Sequence, residues 1–210
     1  LKKLNIAFSL GEHYLDGLKG QDMIMRTPGF EYFTPELVAA GKAGAEVTSE
    51  MELFFRLCPC EIVAVTGSDG KTTTTTLIAE MLKAAGRTVH LGGNLGRALL
   101  PVAESMDPSD VAVVELSSFQ LISMHASPHV AVVTNVTPNH LDHHKDMQEY
   151  IDAKRNILLY QNENDRAVLG WENGVTRAMQ ADVKGSLAWF TRKSVVGNGG
   201  FLRDDGMLCL

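Results

Sequence analysis

The stretch Thr66-Gly67-Ser68-Asp69-Gly70-Lys71-Thr72-Thr73 decides how the chain is read. It follows the apolar run 62–65 and opens an amphipathic stretch, so it reads as a loop between a buried strand and a helix start. In that setting glycines let backbone N–H groups approach phosphates, Lys71 supplies a point charge, and Thr72 can place a hydroxyl on Mg²⁺. Residues 72–76 are all threonine, β-branched and poor at forming helix. Hydroxyls needed at a helix start explain that run better than packing does. The longer pattern G-x-x-x-x-G-K-[ST] would need glycine at position 65, where Val65 stands, so the loop is the shorter G-x-x-G-K-T type. The plainer reading is a glycine turn beside a surface lysine.

Outward from the loop, nearly continuous apolar runs at 62–66, 111–115 and 130–135 predict strands covered by helices on both faces. Leu77, Ile78, Met81, Leu82 and Ala85 recur at helical spacing, and Gly86 stops that helix. The alternation predicts an α/β fold, a P-loop-type and mainly parallel sheet flanked by helices, with the strand ends at Thr66, Glu115 and Asn135 adjacent. Upstream, residues 6–10 and 22–25 read as short strands, followed by Thr27-Pro28-Gly29 and a helix over 35–42. A junction is expected near Cys58-Pro59-Cys60, dividing the chain into 1–57 and 58–210. Gly199-Gly200 and Asp204-Asp205-Gly206 punctuate two short apolar pieces that suggest a hairpin. Both ends read as cuts through a longer protein.

The 210 residues are 45% hydrophobic and 21% charged with a net charge of −6, ordinary globular usage that excludes disordered and fibrous classes. No basic patch interleaves with aromatics, which argues against nucleic acid as a partner. Apolar runs are strand-sized, and no signal core follows Lys2 and Lys3, so neither a membrane span nor a leader is expected. Three cysteines cannot all pair, and Cys58-Pro59-Cys60 is spaced too closely for a zinc knuckle; reduced cytoplasmic thiols are the expectation.

Glu115 ends its strand where a carboxylate can hold Mg²⁺ opposite a phosphate loop, or merely cap the strand. Asn139, His140, Asp142, His143 and His144 follow the third strand. A zinc site is one reading, but a Mg²⁺-nucleotide site accounts for one histidine and the acid, with His143 and His144 facing solvent. Asp146 and Glu149 stand at capping-box spacing and open a helix. Its apolar face is Met147, Tyr150, Ile151, Ile157 and Leu158, and Lys154 falls in that stripe. A buried lysine loses its proton easily, and a neutral amine can take up CO₂ to give a metal-binding carbamate; the alternative is a side chain that snorkels to water.

Together these residues resemble the Mur ligase family, ATP-dependent amide-forming enzymes of bacterial cell-wall precursor synthesis, whose short phosphate loop folylpolyglutamate synthetases share. Glu115-Leu116-Ser117-Ser118-Phe119-Gln120-Leu121 resembles the D-glutamate-adding branch, and Gly92-Gly93-Asn94-Leu95-Gly96, 135–142 and 150–154 fall in the expected order. Thr27-Pro28-Gly29 resembles a Ser-Pro-Gly segment of the nucleotide-sugar domain. Asp69 stands where many members carry Asn, and Asn139 where many carry Asp; neither change removes an expected ligand.

The resemblance implies that 1–57 is the C-terminal part of a Rossmann-like UDP-sugar-binding domain and 58–210 the central ATP-binding domain. The start of the first domain and a C-terminal domain would lie outside the chain. It implies transfer of phosphate from ATP to the alanyl carboxylate of UDP-N-acetylmuramoyl-L-alanine, then attack by the amine of D-glutamate. Gly67, Ser68, Asp69, Gly70, Lys71, Thr72 and Thr73 would bind ATP. Lys71, His140 and Lys154 would be catalytic, and Thr72, Glu115, His140 and carbamylated Lys154 would hold two Mg²⁺. Asn94, Ser117 and Gly29 would contact substrate, and Asp142 would orient His140. A cytoplasmic monomer is implied. The rivals are another ligase of this family and a non-catalytic nucleotide-binding module.

Overall fold

The computed structural model describes residues 6–139 and 142–210. The chain divides into two compact units between Glu50 and Met51.

In the first unit, β1 (Met23–Arg26) lies parallel to β2 (Glu46–Ser49), in register from Met23↔Glu46 to Arg26↔Ser49. Helix α1 (Pro35–Lys42) makes the crossover, with proline in its first turn where no amide hydrogen is missed. Ile24, Leu37 and Ala40 form the small core beneath it. Buried Arg26 donates from one guanidinium nitrogen to the carbonyls of Thr27, Pro28 and Phe30, at 3.1, 3.4 and 2.7 Å, and so holds the turn that follows β1. The strand expected over residues 6–10 does not form. Among the described residues the sheet of this unit holds only β1 and β2, so the alternation of exposed Ile6, Phe8 and Leu10 finds no ladder to join.

The second unit begins one residue into α2 (Glu50–Leu57), whose Met51 and Phe54 enter the main core. The division thus falls after the first residue of α2, seven residues ahead of the junction read from the sequence at Cys58-Pro59-Cys60. There follow β3 (Glu61–Thr66), α3 (Lys71–Ala84), β4 (Val89–Gly93), β5 (Val111–Glu115), α4 (Ser118–Leu121), β6 (Val130–Val133), α5 (Met147–Leu159), β7 (Arg166–Gly170), α6 (Gly174–Ala178), β8 (Ser186–Thr191), β9 (Gly199–Leu202) and β10 (Leu208–Cys209). The sheet order is β10-β9-β8-β7-β6-β3-β5-β4, and every pair is parallel except β10 with β9. The hairpin read from the two glycine clusters is that antiparallel pair.

Side-chain alternation splits the core between the two sheet faces. Ile62, Ala64, Ala112, Val114, Ala131 and Val133 pack with Ile157 and Leu158 of α5. Val63, Val111 and Val113 pack with Ala79 of α3. The predicted stripe of α3 is only partly buried: Leu77 and Met81 are 57% and 71% exposed, whereas Thr75 and Ala79 face the sheet. Ladder partners Val65↔Glu115 and Thr66↔Val133 bring the three strand ends together, and the chain leaves β3 for neighbours on both sides. That switch opens a crevice at the carboxyl ends of the strands, where ligands bind in sheets of this kind. No helix among the described residues is long and apolar enough to cross a membrane.

Candidate active site

The phosphate loop joins β3 to α3 and is tied down from β6. Gly67 has φ +151°, and a Cβ there would lie 1.8 Å from Thr134 Oγ1, so no side chain fits between the loop and β6. Thr134 Oγ1 donates to the Asp69 carbonyl at 2.7 Å. Asn135 accepts from Asp69 N–H at its Oδ1 and donates from Nδ2 to the Asp69 carbonyl, both at 3.1 Å. Buried Ser68 accepts from Thr137 N–H at 2.9 Å and lies 3.0 Å from the Tyr150 hydroxyl. Gly70, at φ +77°, precedes the first turn of α3. Lys71 folds back, its Nζ donating to the Ser68 carbonyl at 2.9 Å.

Glu115, 2% exposed, faces this loop from the end of β5. Its Oε2 accepts from Thr72 Oγ1 at 2.7 Å and its Oε1 from Asn94 Nδ2 at 2.6 Å. Asn94 reaches it because the chain turns at Gly93, and Asn94 N–H donates to the Glu115 carbonyl at 2.9 Å. A carboxylate and a hydroxyl gathered beside a phosphate loop are oxygen donors, which suit Mg²⁺. Ser117 lies two residues on and caps α4: its Oγ accepts from Gln120 N–H, and the Gln120 side chain accepts from Ser117 N–H at 2.9 Å.

Lys154 lies on α5, which starts at Asp146, whose carboxylate accepts from Glu149 N–H at 2.9 Å. The amine does not snorkel. Lys154 is 1% exposed, and Nζ donates to the Gly67 carbonyl at 2.9 Å, with Thr66 Oγ1 at 3.4 Å. Both partners are neutral oxygens, and the amine sits 4.6 Å from the centre of the Tyr150 ring. Burial, and then repulsion by Lys71, push its pKa down to about 7.

His144 corrects an expectation. Instead of facing solvent it is 4% exposed, with Nδ1 3.0 Å from Glu149 Oε1, Nε2 2.9 Å from Ser118 Oγ, and its ring stacked on Phe119. It thus ties the start of α4 to the helix that carries Lys154. His143 is exposed and lies 3.1 Å from Asp142. His140 lies outside the described residues.

Sequence reasoning missed Thr134, Asn135 as a clamp of the loop, the Tyr150 hydroxyl and His144. Tyr150 carried one usable signal, a polar tip on an apolar stripe, since a buried phenol normally finds a hydrogen-bond partner. Gly29, in the first unit, is exposed in the turn that Arg26 holds, with open space on its Cβ side. Beside the loop in the second unit is a cavity of about 430 Å³, lined by Thr134, Asn135, Gly170, Glu172, Asn173 and the pair Arg192 and Lys193.

A family model described as the Mur ligase middle domain matches residues 65–194, which include the loop, Glu115 and Lys154. The chain belongs to the Mur ligase family. Among Mur ligases it is 57% identical over 204 residues to the UDP-N-acetylmuramoylalanine–D-glutamate ligase of Acetivibrio thermocellus, covering 97% of this chain and 44% of that protein. The ligases of the same name from Ruminiclostridium cellulolyticum and Clostridium kluyveri are 51% and 49% identical, over 95% and 100% of this chain and 43% and 46% of theirs. The chain therefore spans less than half the length of these relatives. Solved Mur ligases share the fold at low identity. MurF from Acinetobacter baumannii matches with TM-score 0.58 at 17% identity, over 87% of this chain and 46% of that one. A UDP-N-acetylmuramoyl-L-alanyl-D-glutamate–2,6-diaminopimelate ligase matches with TM-score 0.57 at 19%, over 87% and 50%.

Proposed function

We propose that this chain is the nucleotide-handling part of a cytoplasmic ligase that uses ATP to join D-glutamate to UDP-N-acetylmuramoyl-L-alanine, in peptidoglycan precursor synthesis. The observation that carries the reading is one phosphate loop touched by two buried ionisable groups, Glu115 through Thr72 and Lys154 through Gly67. The high identity to ligases named for D-glutamate supports the choice of amino acid.

A carboxylate is too poor an electrophile to form an amide unaided. The γ-phosphoryl group of ATP moves to the alanyl carboxylate, the amine of D-glutamate attacks the acyl phosphate carbon, and phosphate leaves. In such transfers the protein contributes positioning and charge stabilisation. The loop of residues 67–73 holds the phosphates, through amides other than those of Ser68 and Asp69, which donate to Asn135, and Lys71 swings from the Ser68 carbonyl onto the β- and γ-phosphates. Thr72 and Glu115 would hold one Mg²⁺, and His140 with carbamylated Lys154 a second, with Asp142 orienting His140. Mg²⁺ there would supply neutralisation of phosphate charge. Asn94, anchored on Glu115, positions the acceptor, with Ser117 and Gly29 as further substrate contacts.

For Lys154 to serve a cation its charge must be reversed. With a pKa of about 7, about half the amines are neutral at pH 7. The neutral nitrogen attacks CO₂, a nitrogen–carbon bond forms, a proton leaves to water, and a carbamate anion remains.

The test is ADP release by the complete protein, supplied with Mg²⁺, ATP and UDP-N-acetylmuramoyl-L-alanine. Release should require D-glutamate and should not be supported by L-lysine, D-alanyl-D-alanine or a folate. Turnover with one of those in its place, or binding of ATP without turnover under all conditions, would sink the reading.

A further inference from the structure

At the other end of β3, away from the phosphate loop, three sulfur atoms converge. Cys58 follows α2, Cys60 immediately precedes β3, and Met106 comes from the turn before β5. Cys58 Sγ lies 3.4 Å from Cys60 Sγ and 4.0 Å from Met106 Sδ. The backbone sets this arrangement: Cys58 N–H donates to the Phe54 carbonyl at 2.8 Å, Met106 N–H to the Ala103 carbonyl at 3.2 Å, and the Ala112 backbone hydrogen-bonds to the Cys60 thiol. Cys60 and Met106 are 3% and 6% exposed, while Cys58 is half-buried beside exposed Pro59, which leaves a way in.

We propose that Cys58, Cys60 and Met106 form a site for a thiophilic monovalent cation of the Cu(I) class, separate from the phosphate loop. β3 lies between the two sites, and its six residues span roughly 20 Å at about 3.3 Å each. The donor set selects the metal. Zinc takes four ligands from thiolate, imidazole and carboxylate, and a thioether is not among them. Two thiolates and a thioether are soft donors that favour Cu(I).

Charge narrows the choice further. Binding follows 2 RSH + Cu⁺ → Cu(SR)₂⁻ + 2 H⁺, so both protons go to solvent and one net negative charge stays in an apolar wall. Only a metal with a strong bond to thiolate displaces both thiol protons.

The experiment titrates the reduced, complete protein with Cu(I) under anaerobic conditions, in competition with a coloured Cu(I) chelator, and reads stoichiometry by native mass spectrometry. One Cu(I) per chain is expected, with a thiolate-to-copper absorption in the ultraviolet and protection of Cys58 from alkylation. Cys58→Ser should weaken binding by at least about 100-fold and Met106→Leu by about 10-fold, whereas Cys209→Ser should leave it unchanged. Cys58 is the position to vary because it is half-buried; a wild-type melting curve for Cys58→Ser checks that the fold survives. Retention of full affinity in Cys58→Ser, loss of copper with Cys209→Ser, or a wild-type protein stripped bare by the chelator overturns the proposal.

Discussion

Lys154 works against the stability of the fold. Lowering its pKa from 10.5 to about 7 corresponds to about 5 kcal/mol against the buried ammonium. The sign follows from proton counting. Between pH 7 and 10.5 the unfolded chain holds a proton that the folded chain has lost, so this group makes stability rise with pH across that window. Below pH 7 both states are protonated and the whole penalty is present. Lys154→Met should therefore stabilise the protein at pH 6 by about 1–3 kcal/mol in urea unfolding and flatten the rise in stability from pH 7 to 9. An unchanged slope would mean that the amine is not what titrates. The same residue should be indispensable to activity. Lys154→Ala should keep the fold and lose most ligation, and a short-chain carboxylic acid, able to occupy the vacated anion position, should restore part of it. Full activity without added acid would remove the carbamate from the mechanism. The periodicity of α5 placed Lys154 in the apolar stripe, because helical spacing is local, but left open whether its amine snorkels to water; the hydrogen bond to the Gly67 carbonyl decides that. His144 could not be read that way: its partners Ser118 and Glu149 lie 26 and 5 residues away, and only the fold brings both to one ring.

At the scale of elements, two turns hold the site together, and each makes a claim. β4 ends at Gly93 with φ +87°, where a Cβ would stand 2.3 Å from the Glu115 carbonyl oxygen. Gly93→Ala should cost about 2–3 kcal/mol of stability, from left-handed strain added to a backbone clash. It should also raise the KM for the acceptor substrate, since Asn94 would leave Glu115. A variant with native stability in denaturant would contradict this. Asp146 caps the helix that carries Tyr150 and Lys154, so Asp146→Ala should cost about 1 kcal/mol with little effect on the choice of amino acid. The strands of the sheet centre were legible because parallel strands buried on both faces read as unbroken apolar runs. The short α4 was not, since its four residues carry no period, and its start rests on a cap between Ser117 and Gln120. Residues 6–10 mislead for the opposite reason: alternation is a local property, whereas a strand needs a neighbour.

At the scale of the whole molecule, the order β7-β6-β3-β5-β4 gathers the polar strand ends at one rim, while residues 51–210 supply every buried side chain of the two cores around the sheet. A unit that owns its core should unfold as one. Residues 51–210 alone are therefore expected to give a single cooperative urea transition, coincident by fluorescence of Trp171 and Trp189 and by far-ultraviolet circular dichroism. The two tryptophans meet edge to face at 5.1 Å beside β7 and β8, so they report on the sheet itself. Separate, sloping transitions would show that the sheet depends on residues 1–50. The same piece should form no amide bond from D-glutamate and UDP-N-acetylmuramoyl-L-alanine, because the proposed substrate contact at Gly29 lies outside it. Measurable ligation by residues 51–210 would place acceptor recognition wholly within the ATP-binding unit and withdraw the role assigned to the first.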